Sequence, residues 1–360
     1  MRQKAELQPA ALVTSEVAPR PTIRDVARVA GVAVSTVSYV VNDSGHVSPE
    51  TRLRVTSAIR ALRYEPNTMA RNLKTGKASS IGLIAPDLAN PYFAAVAAGV
   101  QEAAQASDIL LVLCTTQSQP HWEDYYSHVV RARRLDGLIF LSGSGMLTAS
   151  LLELIQRGLV VLVDEKLPGL DVPAVTSNNR RGARAVAGHV LDMGHRRIGI
   201  IGGPPQLWTA EQRLSGYREA LAGAGIDPDG VPILHGDYQQ ASGMVAARAL
   251  LDVPAAERPT ALLCANDMMA IGAMLCCREM GLRIPGDVSV VGFDDIPMAE
   301  LMEPGLTSVR QSGHALGRAA CRLLLRRINP HDGKDEEEVI TNQPTTLIPR
   351  GSVGAPARQP

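Results

Sequence analysis

The chain has 360 residues with a formal net charge of zero, and 45% of them are hydrophobic. This length exceeds that of one ordinary domain, and so large a core needs no disulfides. No uncharged apolar run approaches about 18 residues, and residues 1–19 lack a continuous apolar segment, which excludes a clear membrane span or export signal. Five cysteines without a C-x-x-C pair favour a reducing compartment, so we expect a cytoplasmic protein with a disordered arm at 1–19.

The zero net charge hides a strong asymmetry along the chain. Residues 20–77 contain ten Lys or Arg and four Asp or Glu, whereas residues 78–360 contain 24 and 30. A basic module of net charge +6 is therefore followed by an acidic body of net charge −6. This division predicts that the module binds a polyanion and that the body has a different task.

Residues 22–62 predict three short helices. Thr22 is a good N-cap for the first helix, and Gly31 ends it because glycine readily adopts the left-handed conformation. A second helix follows at once, as in a helix-turn-helix, and Ser48 caps a third helix that has Pro49 at its first position. The third helix is expected to bury Leu53, Val55, Ala58, Ile59 and Leu62.

Five stretches of this module carry a more specific signal, namely DVARVAGV, TVSYVVN, HVSPETR, LRYEPN and ARNLKTGK. In this order they resemble the headpiece and hinge of the LacI/GalR family of transcriptional regulators, and the resemblance continues to Arg350-Gly351-Ser352. It implies an all-α DNA-binding headpiece at 20–66, followed by a hinge helix and linker at 67–77. The headpiece residues that it assigns to DNA are Thr22, Val34, Ser35, Thr36, Ser38, Tyr39 and Asn42.

Two positions depart from the family pattern. Ala33 stands where a serine is common, which removes a phosphate or capping hydrogen bond, and Tyr39 stands where arginine is frequent. Arginine pairs with guanine, so the identity of the base at this position is open. The alternative for Tyr39 is a packing role against the third helix.

The resemblance places the hinge in the minor groove of the DNA. Asn67, Arg71 and Lys74 are its polar residues, and Leu73 is the apolar wedge that unstacks the central base step and kinks the duplex. Such a hinge folds when two copies meet on the DNA. The resemblance therefore implies a homodimer that reads a pseudopalindromic operator.

After Lys77 the chain alternates short apolar runs with helical patterns, which predicts an α/β fold with parallel strands covered on both faces. The runs are SIGLIAPD, ILLVLCTT, LDGLIFLS, LVVLVDE, AVTSN, RRIGIIGG, VPILHGD, TALLCAND and VSVVGFDD. So many strands favour two doubly wound parallel sheets over one. The resemblance implies a body like the type I periplasmic binding proteins at 78–356, with one subdomain at 78–178 plus 311–340 and the other at 179–310 plus 341–356.

Ligands of open α/β sheets bind beyond the carboxyl ends of the strands. Acidic, amide and aromatic residues follow the predicted strands here, and they can hold hydroxyl groups and stack on rings. The effector residues that the resemblance assigns are Tyr92, Phe93, Asp164, Trp208, Arg213, Tyr238, Asn266, Asp294 and Gln311. Trp208 could instead lie on the rim of the cleft. A neutral sugar is favoured as the effector, and a purine is the alternative.

Other classes of protein fit the sequence less well. The chain contains no phosphate-binding, zinc-protease, hydrolase-elbow or dinucleotide motif, so we expect no enzyme, cofactor or metal. Asp267 and Asp295 are interpreted as turn or capping residues, and His195 as a surface turn residue. A periplasmic sugar-binding protein would need an export signal and no basic module. A module that binds a protein partner instead of DNA would show no salt-dependent affinity for duplex.

The effector is expected to act through the angle between the two subdomains, which sets the separation of the two Leu73 hinges. It is an inducer if closure separates the hinges and a corepressor if closure brings them together. The C-terminal GAPARQP lacks the leucine heptads of a tetramer-forming bundle, so the sequence predicts a dimer joined through both subdomains.

Overall fold

The computed structural model of the protein describes residues 21–64, 78–167, 169–329 and 341–356. The chain divides into two compact units, Met1–Gly76 and Lys77–Pro360, which we describe separately. The predicted arm at 1–19 and the predicted hinge at 67–77 lie outside the described residues.

The small unit contains three helices: α1 (Ile23–Ala30), α2 (Val34–Val41) and α3 (Pro49–Leu62). Gly31 has φ +65° and ends α1 in the left-handed conformation, and the Ser48 side chain accepts a hydrogen bond from Thr51 N at the start of α3. Both predicted helix boundaries are therefore confirmed. The buried side chains from all three helices form one small core, which contains Val26, Ala27, Ala30, Val37, Val55 and Ala58.

The prediction that Leu53 belongs to this core is wrong. Its side chain is 69% exposed, whereas Val55 and Ala58 are buried. Residues two positions apart in an α-helix are separated by about 200° around its axis, so Leu53 and Val55 face opposite sides. Ile59 and Leu62 are partly buried against the same core, as helical spacing from Val55 requires.

The large unit begins with a six-stranded sheet in the order β11-β5-β4-β3-β1-β2, in which every pair is parallel. Its strands are β1 (Ser80–Ala85), β2 (Leu110–Thr115), β3 (Gly137–Phe140), β4 (Val160–Val163), β5 (Ala174–Ser177) and β11 (Asn342–Gln343). The helices that accompany it are α4 (Pro91–Ala106), α5 (Pro120–Val129), α6 (Ala149–Gln156) and α12 (Gly313–Ile328), with a π-helical turn at Val130–Arg134. We call this sheet and its helices the first subdomain.

The second subdomain contains a four-stranded parallel sheet in the order β7-β6-β8-β9 and an antiparallel pair, β10 with β12. Its strands are β6 (Ile198–Gly202), β7 (Ile233–His235), β8 (Ala261–Cys264), β9 (Ser289–Val291), β10 (Ser308–Arg310) and β12 (Thr346–Ile348). Its helices are α7 (Asn179–Asp192), α8 (Trp208–Gly223), α9 (Gln240–Leu251), α10 (Asp267–Glu279) and α11 (Pro297–Leu301), with a 3-10 turn at Pro228–Gly230.

The predicted α/β fold class is confirmed, and each of the nine predicted apolar runs contains one strand of β1 to β9. The chain passes between the subdomains three times: after Ser177, between Arg310 and Gly313, and between Gln343 and Thr346. The last crossing lies a few residues beyond the predicted boundary at 340, because Asn342 and Gln343 pair with β5 of the first sheet.

Helices α4 and α12 of the first subdomain approach each other closely through glycine. A Cβ atom on Gly99 would lie 2.0 Å from the carbonyl oxygen of His314, and one on Gly317 would lie 2.0 Å from that of Val96. Only residues without a side chain allow this contact. It joins the helix that begins at the end of β1 to the helix that follows the second crossing.

His195 is a buried structural residue, so its interpretation as a surface turn residue is wrong. The side chain is 1% exposed, Nδ1 lies 2.9 Å from Thr260 Oγ1, and Nε2 donates to the carbonyl oxygen of Gly354 at 2.8 Å. Burial lowers the pKa of His195. The neutral imidazole therefore anchors the C-terminal segment to the second subdomain, and the sequence position after Gly194 gave no sign of this partner.

Candidate functional site

Helix α2 presents polar and apolar side chains on the face opposite its buried Val37. At about 100° per residue, Val34, Ser38, Asn42, Ser35 and Tyr39 span an arc of about 140°. Val34, Ser35, Tyr39 and Asn42 are exposed and Ser38 is half-buried. Thr36, also half-buried, lies at the edge of this face. The sequence therefore places most of the residues assigned to DNA on one accessible side of a short helix.

Tyr39 is 49% exposed and its ring lies against Gly45, where an added Cβ would be 3.3 Å from ring carbons. The ring thus packs on the turn that follows α2 and keeps one side in solvent. Ser44 N donates to the carbonyl oxygen of Tyr39 at 3.0 Å and closes the same turn. One face of the Tyr39 ring is thus held against the turn, and the other face is open to solvent.

Thr22 and Asn42 hold the ends of helices. The hydroxyl and the backbone N–H of Thr22 both donate to Asp25 Oδ2, at 2.8 and 2.9 Å. Asn42 Nδ2 donates to Ser38 Oγ at 3.2 Å. The remaining residues assigned to DNA lie outside the described residues: Asn67, Arg71, Leu73 and Lys74.

The large unit contains a cleft of about 660 Å³ between its subdomains. Loops that follow β1, β2, β3 and β4 line one side, and loops that follow β6, β7, β8 and β9 line the other. The cleft is therefore at the carboxyl ends of the parallel strands, where ligands of such sheets bind. Seven of the nine residues assigned to the effector line it: Tyr92, Phe93, Asp164, Arg213, Tyr238, Asn266 and Asp294.

Arg213 on α8 is the fixed cation of the cleft. Its Nε donates to Asn179 Oδ1 at 2.8 Å, and its Nη1 donates to the carbonyl oxygen of Ala265 at 2.6 Å. The guanidinium carbon lies 4.0 Å from the centroid of the Phe293 ring, and Nη1 lies 3.5 Å from Asp294 Oδ1. Four protein groups thus hold a fully buried guanidinium in one orientation, as precise recognition of a ligand requires.

Asp294 faces Arg213 from the end of β9. Gln311 Nε2 donates to its Oδ1 at 2.7 Å, so Gln311 orients the carboxyl group from behind and does not itself line the cleft. Burial raises the pKa of Asp294 to about 7, although Arg213 acts in the opposite direction. Asp294 also has φ +110°, a conformation that costs a non-glycine residue of order 1–3 kcal/mol and occurs most often at functional sites.

Among the described residues that line the cleft, Tyr92 Oη and Asp164 Oδ1 are buried without a well-formed hydrogen bond, and Gln311 Oε1 is in the same situation behind Asp294. Burial raises the pKa of Asp164 and of Tyr92, and the carboxylates of Asp164 and Asp294 raise that of Tyr92 further. Buried polar atoms are nearly always paired, and an unpaired group lowers stability by about 1–3 kcal/mol. Tyr92 and Asp164 lie close enough for a mutual side-chain hydrogen bond to influence the pKa of both, so a ligand hydroxyl placed between them can accept from Tyr92 and donate to Asp164.

Asn266 and Tyr238 build the wall of the second subdomain. Asn266 Oδ1 accepts from Met269 N at the start of α10, and its Nδ2 donates to the carbonyl oxygen of Tyr238, both at 3.0 Å. The Tyr238 ring covers Gly203, where a Cβ would lie 2.4 Å from Cζ. Tyr238 also has φ +67°, so its backbone is held in a conformation that few side chains adopt.

Trp208 does not line the cleft; it is the first residue of α8, and Lys166 Nζ lies 5.2 Å from its ring centroid. Asp267 and Asp295 do not line the cleft either. Asp267 accepts from Ser308 Oγ and Ile296 N, and Asp295 forms ion pairs with arginines of the second subdomain.

Several lining residues were missed by sequence reasoning. Gln117 and Ser118, with φ +50° and +58°, follow β2, and Glu165 follows β4 directly after Asp164. Thr209, near the start of α8, donates to Glu165. The rule that polar residues follow strand ends could have found Gln117 and Glu165. Thr209 carries no such signal, because it precedes no buried run and begins a helix.

No group of three or more His, Cys, Asp or Glu residues that could hold a metal ion occurs in residues 21–64, 78–167, 169–329 and 341–356. Across the same ranges, none of the helices combines the length and apolar character needed to cross a bilayer.

Two family models match the chain, one described as bacterial regulatory proteins of the lacI family (residues 22–67) and one as a periplasmic binding protein-like domain (187–353). The HTH-type transcriptional repressor PurR of Mannheimia succiniciproducens is 34% identical over 328 residues, which are 91% of this chain and 97% of that protein. The lac repressor dimer bound to operator and the anti-inducer ONPF is 29% identical, with a TM-score of 0.79 over 93% of this chain and 99% of that one.

A complex of the transcriptional regulator CelR with cellobiose is 34% identical, with a TM-score of 0.67, and the match covers 92% of this chain and 100% of that chain. The headpiece, the two-subdomain body and full-length similarity to transcriptional repressors agree with one another. The chain therefore belongs to the lacI family of bacterial regulatory proteins and is a DNA-binding transcriptional repressor, not an enzyme.

Proposed function

We infer that this repressor is a cytoplasmic homodimer that binds a pseudopalindromic operator through α2, and that a neutral sugar in the cleft controls its affinity for DNA. The carrying observation is the pair of facing groups Asp294 and Arg213 beside buried polar atoms that lack protein partners. Such atoms match the donors and acceptors of a polyhydroxylated molecule.

The charge of the cleft supports a neutral ligand. Five carboxyl side chains are among the described lining residues, and Arg213 is the guanidinium that faces them. An anionic sugar phosphate would meet this excess of acidic groups, and the charge of Arg213 is already balanced in part by Asp294. A hydroxyl group can donate to Asp164 Oδ1 and accept from Tyr92 Oη with no such repulsion.

The similarity to the CelR-cellobiose complex also favours a sugar. A purine is the second candidate, because Phe93 and Tyr238 bring aromatic rings to the cleft. The two ligands would bind through different groups. The hydroxyls of a sugar would donate to the carboxyl groups, whereas a purine would stack on the aromatic rings of the cleft.

Dimerisation is supported by exposed apolar residues in both subdomains. Strand β2 is an edge of the six-stranded sheet and exposes Leu110 and Leu113. In the second subdomain α9 exposes Val245, and Leu301 of α11 is 81% exposed. An unpaired edge strand and exposed apolar side chains are features that association covers. We therefore propose contacts between copies of this chain through both subdomains.

A thermal-melt screen tests the effector. The purified protein is heated with pentoses, hexoses, disaccharides, their phosphates and free purines, since a ligand at 100 times its Kd adds about 2.7 kcal/mol of stability. A shift with a neutral sugar that Asp294→Asn abolishes supports the proposal. Glu279→Gln, which removes an exposed carboxylate far from the cleft lining, is the matched control and should keep the shift. A shift with purines alone would replace the sugar.

Fluorescence anisotropy with a labelled library of two-fold-symmetric duplexes tests the DNA contact. Tyr39→Ala should lose most of the preference between sequences but keep the salt-dependent affinity for any duplex. Leu53→Ala, another exposed apolar residue of the same unit, should keep the preference. Equal preference in Tyr39→Ala and the unaltered protein would exclude α2 as the reading surface.

A further inference from the structure

Two consecutive residues of the first subdomain contact two consecutive residues of the second. Glu165, which follows β4, accepts a hydrogen bond from Thr209 N at 3.1 Å on Oε2 and a second from the Thr209 hydroxyl on Oε1. Its neighbour Lys166 places Nζ 5.2 Å from the centroid of the Trp208 ring. The pair Glu165–Lys166, here called the strap, thus bridges the cleft to the first turn of α8.

The first turn of α8 depends on this contact. Helices leave their first four N–H groups without an intrahelical partner, and a side chain at the N-cap normally accepts from one of them. The N-cap of α8 is Leu207, whose side chain has no acceptor. Glu165 supplies the missing acceptor from the other subdomain.

The hydrogen bonds between Glu165 and Thr209 are shielded from solvent. Glu165 is 5% exposed and Thr209 is 1% exposed. Thr209 Oγ1 also lies 3.2 Å from Tyr238 Oη, which joins the contact to the wall of the cleft. If the subdomains separated here, a buried carboxyl group and a helix amide would lose their partners together. The cost of leaving such groups unpaired favours the joined state.

The strap lies next to Asp164 and Arg213, which line the cleft from the first and the second subdomain. Asp164 precedes Glu165 in the chain. Burial raises the pKa of Asp164, and the charge of the Arg213 guanidinium acts in the opposite direction. Arg213 is four residues after Thr209, about one helical turn along the same face of α8. The bridge and the cleft pair are therefore carried by the same two elements, the end of β4 and the start of α8.

We propose that Glu165 and Lys166 hold the two subdomains closed, and that Glu165 acts as a positioning residue that caps α8 from across the cleft and so fixes Arg213 opposite Asp164. The strap assigns a role to Trp208, which lies outside the cleft lining. As a device that regulates the effector cleft it rests on the proposed function, but its closure can be measured without effector or DNA.

Tryptophan fluorescence reports the strap directly. The chain has two tryptophans, Trp122 and Trp208, so Trp122→Phe leaves only the ring that Lys166 covers. In this background, Glu165→Ala should at least double the acrylamide quenching constant of Trp208. It should also speed amide hydrogen exchange at residues 208–211 at least tenfold. Glu165→Gln, whose amide oxygen can still accept from Thr209 N, should restore both values.

The control is Glu153→Ala, which removes an exposed carboxylate of the same subdomain that pairs with Arg131 at 2.9 Å. Its quenching and exchange should not change. Circular dichroism checks that each variant is folded, and Thr209→Val replaces Glu165→Ala if the latter is not, with an expected increase in exchange at the same turn. Unchanged quenching and exchange in a folded Glu165→Ala or Thr209→Val would overturn the proposal, whatever the ligand screen finds.

Discussion

Replacing Glu165 by glutamine should change how the stability of the protein depends on pH. Burial is the main reason that the pKa of Glu165 rises from its ordinary 4.5 to about 8; Asp164 raises it further, and the Thr209 hydrogen bonds and Arg213 lower it. Because this pKa is higher in the folded chain than in the unfolded chain, folding takes up a proton. The stability contributed by the protonated group is complete below pH 4.5 and is lost as the pH rises through about 8.

The size of the effect follows from the distance between the assay pH and the folded pKa. One pKa unit corresponds to about 1.36 kcal/mol, and pH 6 is about two units below the folded pKa of Glu165. Between pH 6 and pH 9 this one group should therefore lower the free energy of unfolding by about 2.7 kcal/mol. Glutamine cannot ionise, and its amide oxygen can accept from Thr209 N as the carboxyl oxygen Oε2 does. Its Nε2 can donate to Thr209 Oγ1 in place of the bond that Glu165 Oε1 accepts from that hydroxyl.

The assay is urea unfolding followed by circular dichroism from pH 6 to pH 9, with the unaltered protein and Glu165→Gln compared at each pH. Other buried carboxyl groups, such as Asp294, titrate in both proteins and cancel in the difference. Relative to the unaltered protein, Glu165→Gln should gain about 2.7 kcal/mol across this range. Glu153→Gln, which changes an exposed carboxylate, should gain nothing. A constant difference between Glu165→Gln and the unaltered protein would refute the reasoning, because the buried carboxyl group would then be ionised throughout.

Four further substitutions test the packing and electrostatics of the large unit. Arg213→Met should lower the free energy of unfolding by about 3–5 kcal/mol, because it leaves a buried carboxyl group without its cation; urea unfolding at pH 8 measures the loss. Gly317→Ala should destabilise by about 1–3 kcal/mol, since its Cβ would collide with the backbone of α4. Gly188→Ala, with free space at its Cβ, should instead raise the free energy of unfolding by about 0.5–1 kcal/mol, and urea unfolding measures both glycine variants. His195, whose pKa is lowered by burial, should make the protein lose stability as the pH falls through 6.5, and His195→Gln should reduce this acid sensitivity.

The sequence predicted the strands and most of the cleft for one physical reason. Parallel strands buried on both faces must be short and apolar, so their ends are visible in the sequence, and the residues after them meet at one edge of each sheet. This logic brought Asp164, Asn266 and Asp294 to one cleft without knowledge of the strand order. Neither this rule nor the family resemblance separates the residues that face a ligand from those that support them: the resemblance assigned Gln311 to the effector, and its side chain lies behind Asp294.

Two of the errors arose because the residues have partners far away in the sequence. His195 reads as a turn residue, yet it bonds to Gly354 at the far end of the chain. Glu165 and Thr209 are 44 residues apart and belong to different subdomains, so no local pattern pairs them. Leu53 is a different case: its position relative to Val55 already placed it on the outer face of α3, and the helical period would have excluded it from the core.

The shared elements of strap and cleft determine how a ligand can act on this repressor. A ligand shifts a conformational equilibrium only by the difference in its affinity for the two states. Asp164 and Arg213 line the cleft from the two elements that Glu165 joins, so a molecule that bridges them gains its affinity in the closed state. Ionisation of Glu165 acts on the same equilibrium in the opposite direction, because a buried carboxylate favours separation and hydration. Effector and pH should therefore compete for one closure step, and a coupling of about 1–3 kcal/mol would change DNA affinity about 5- to 150-fold.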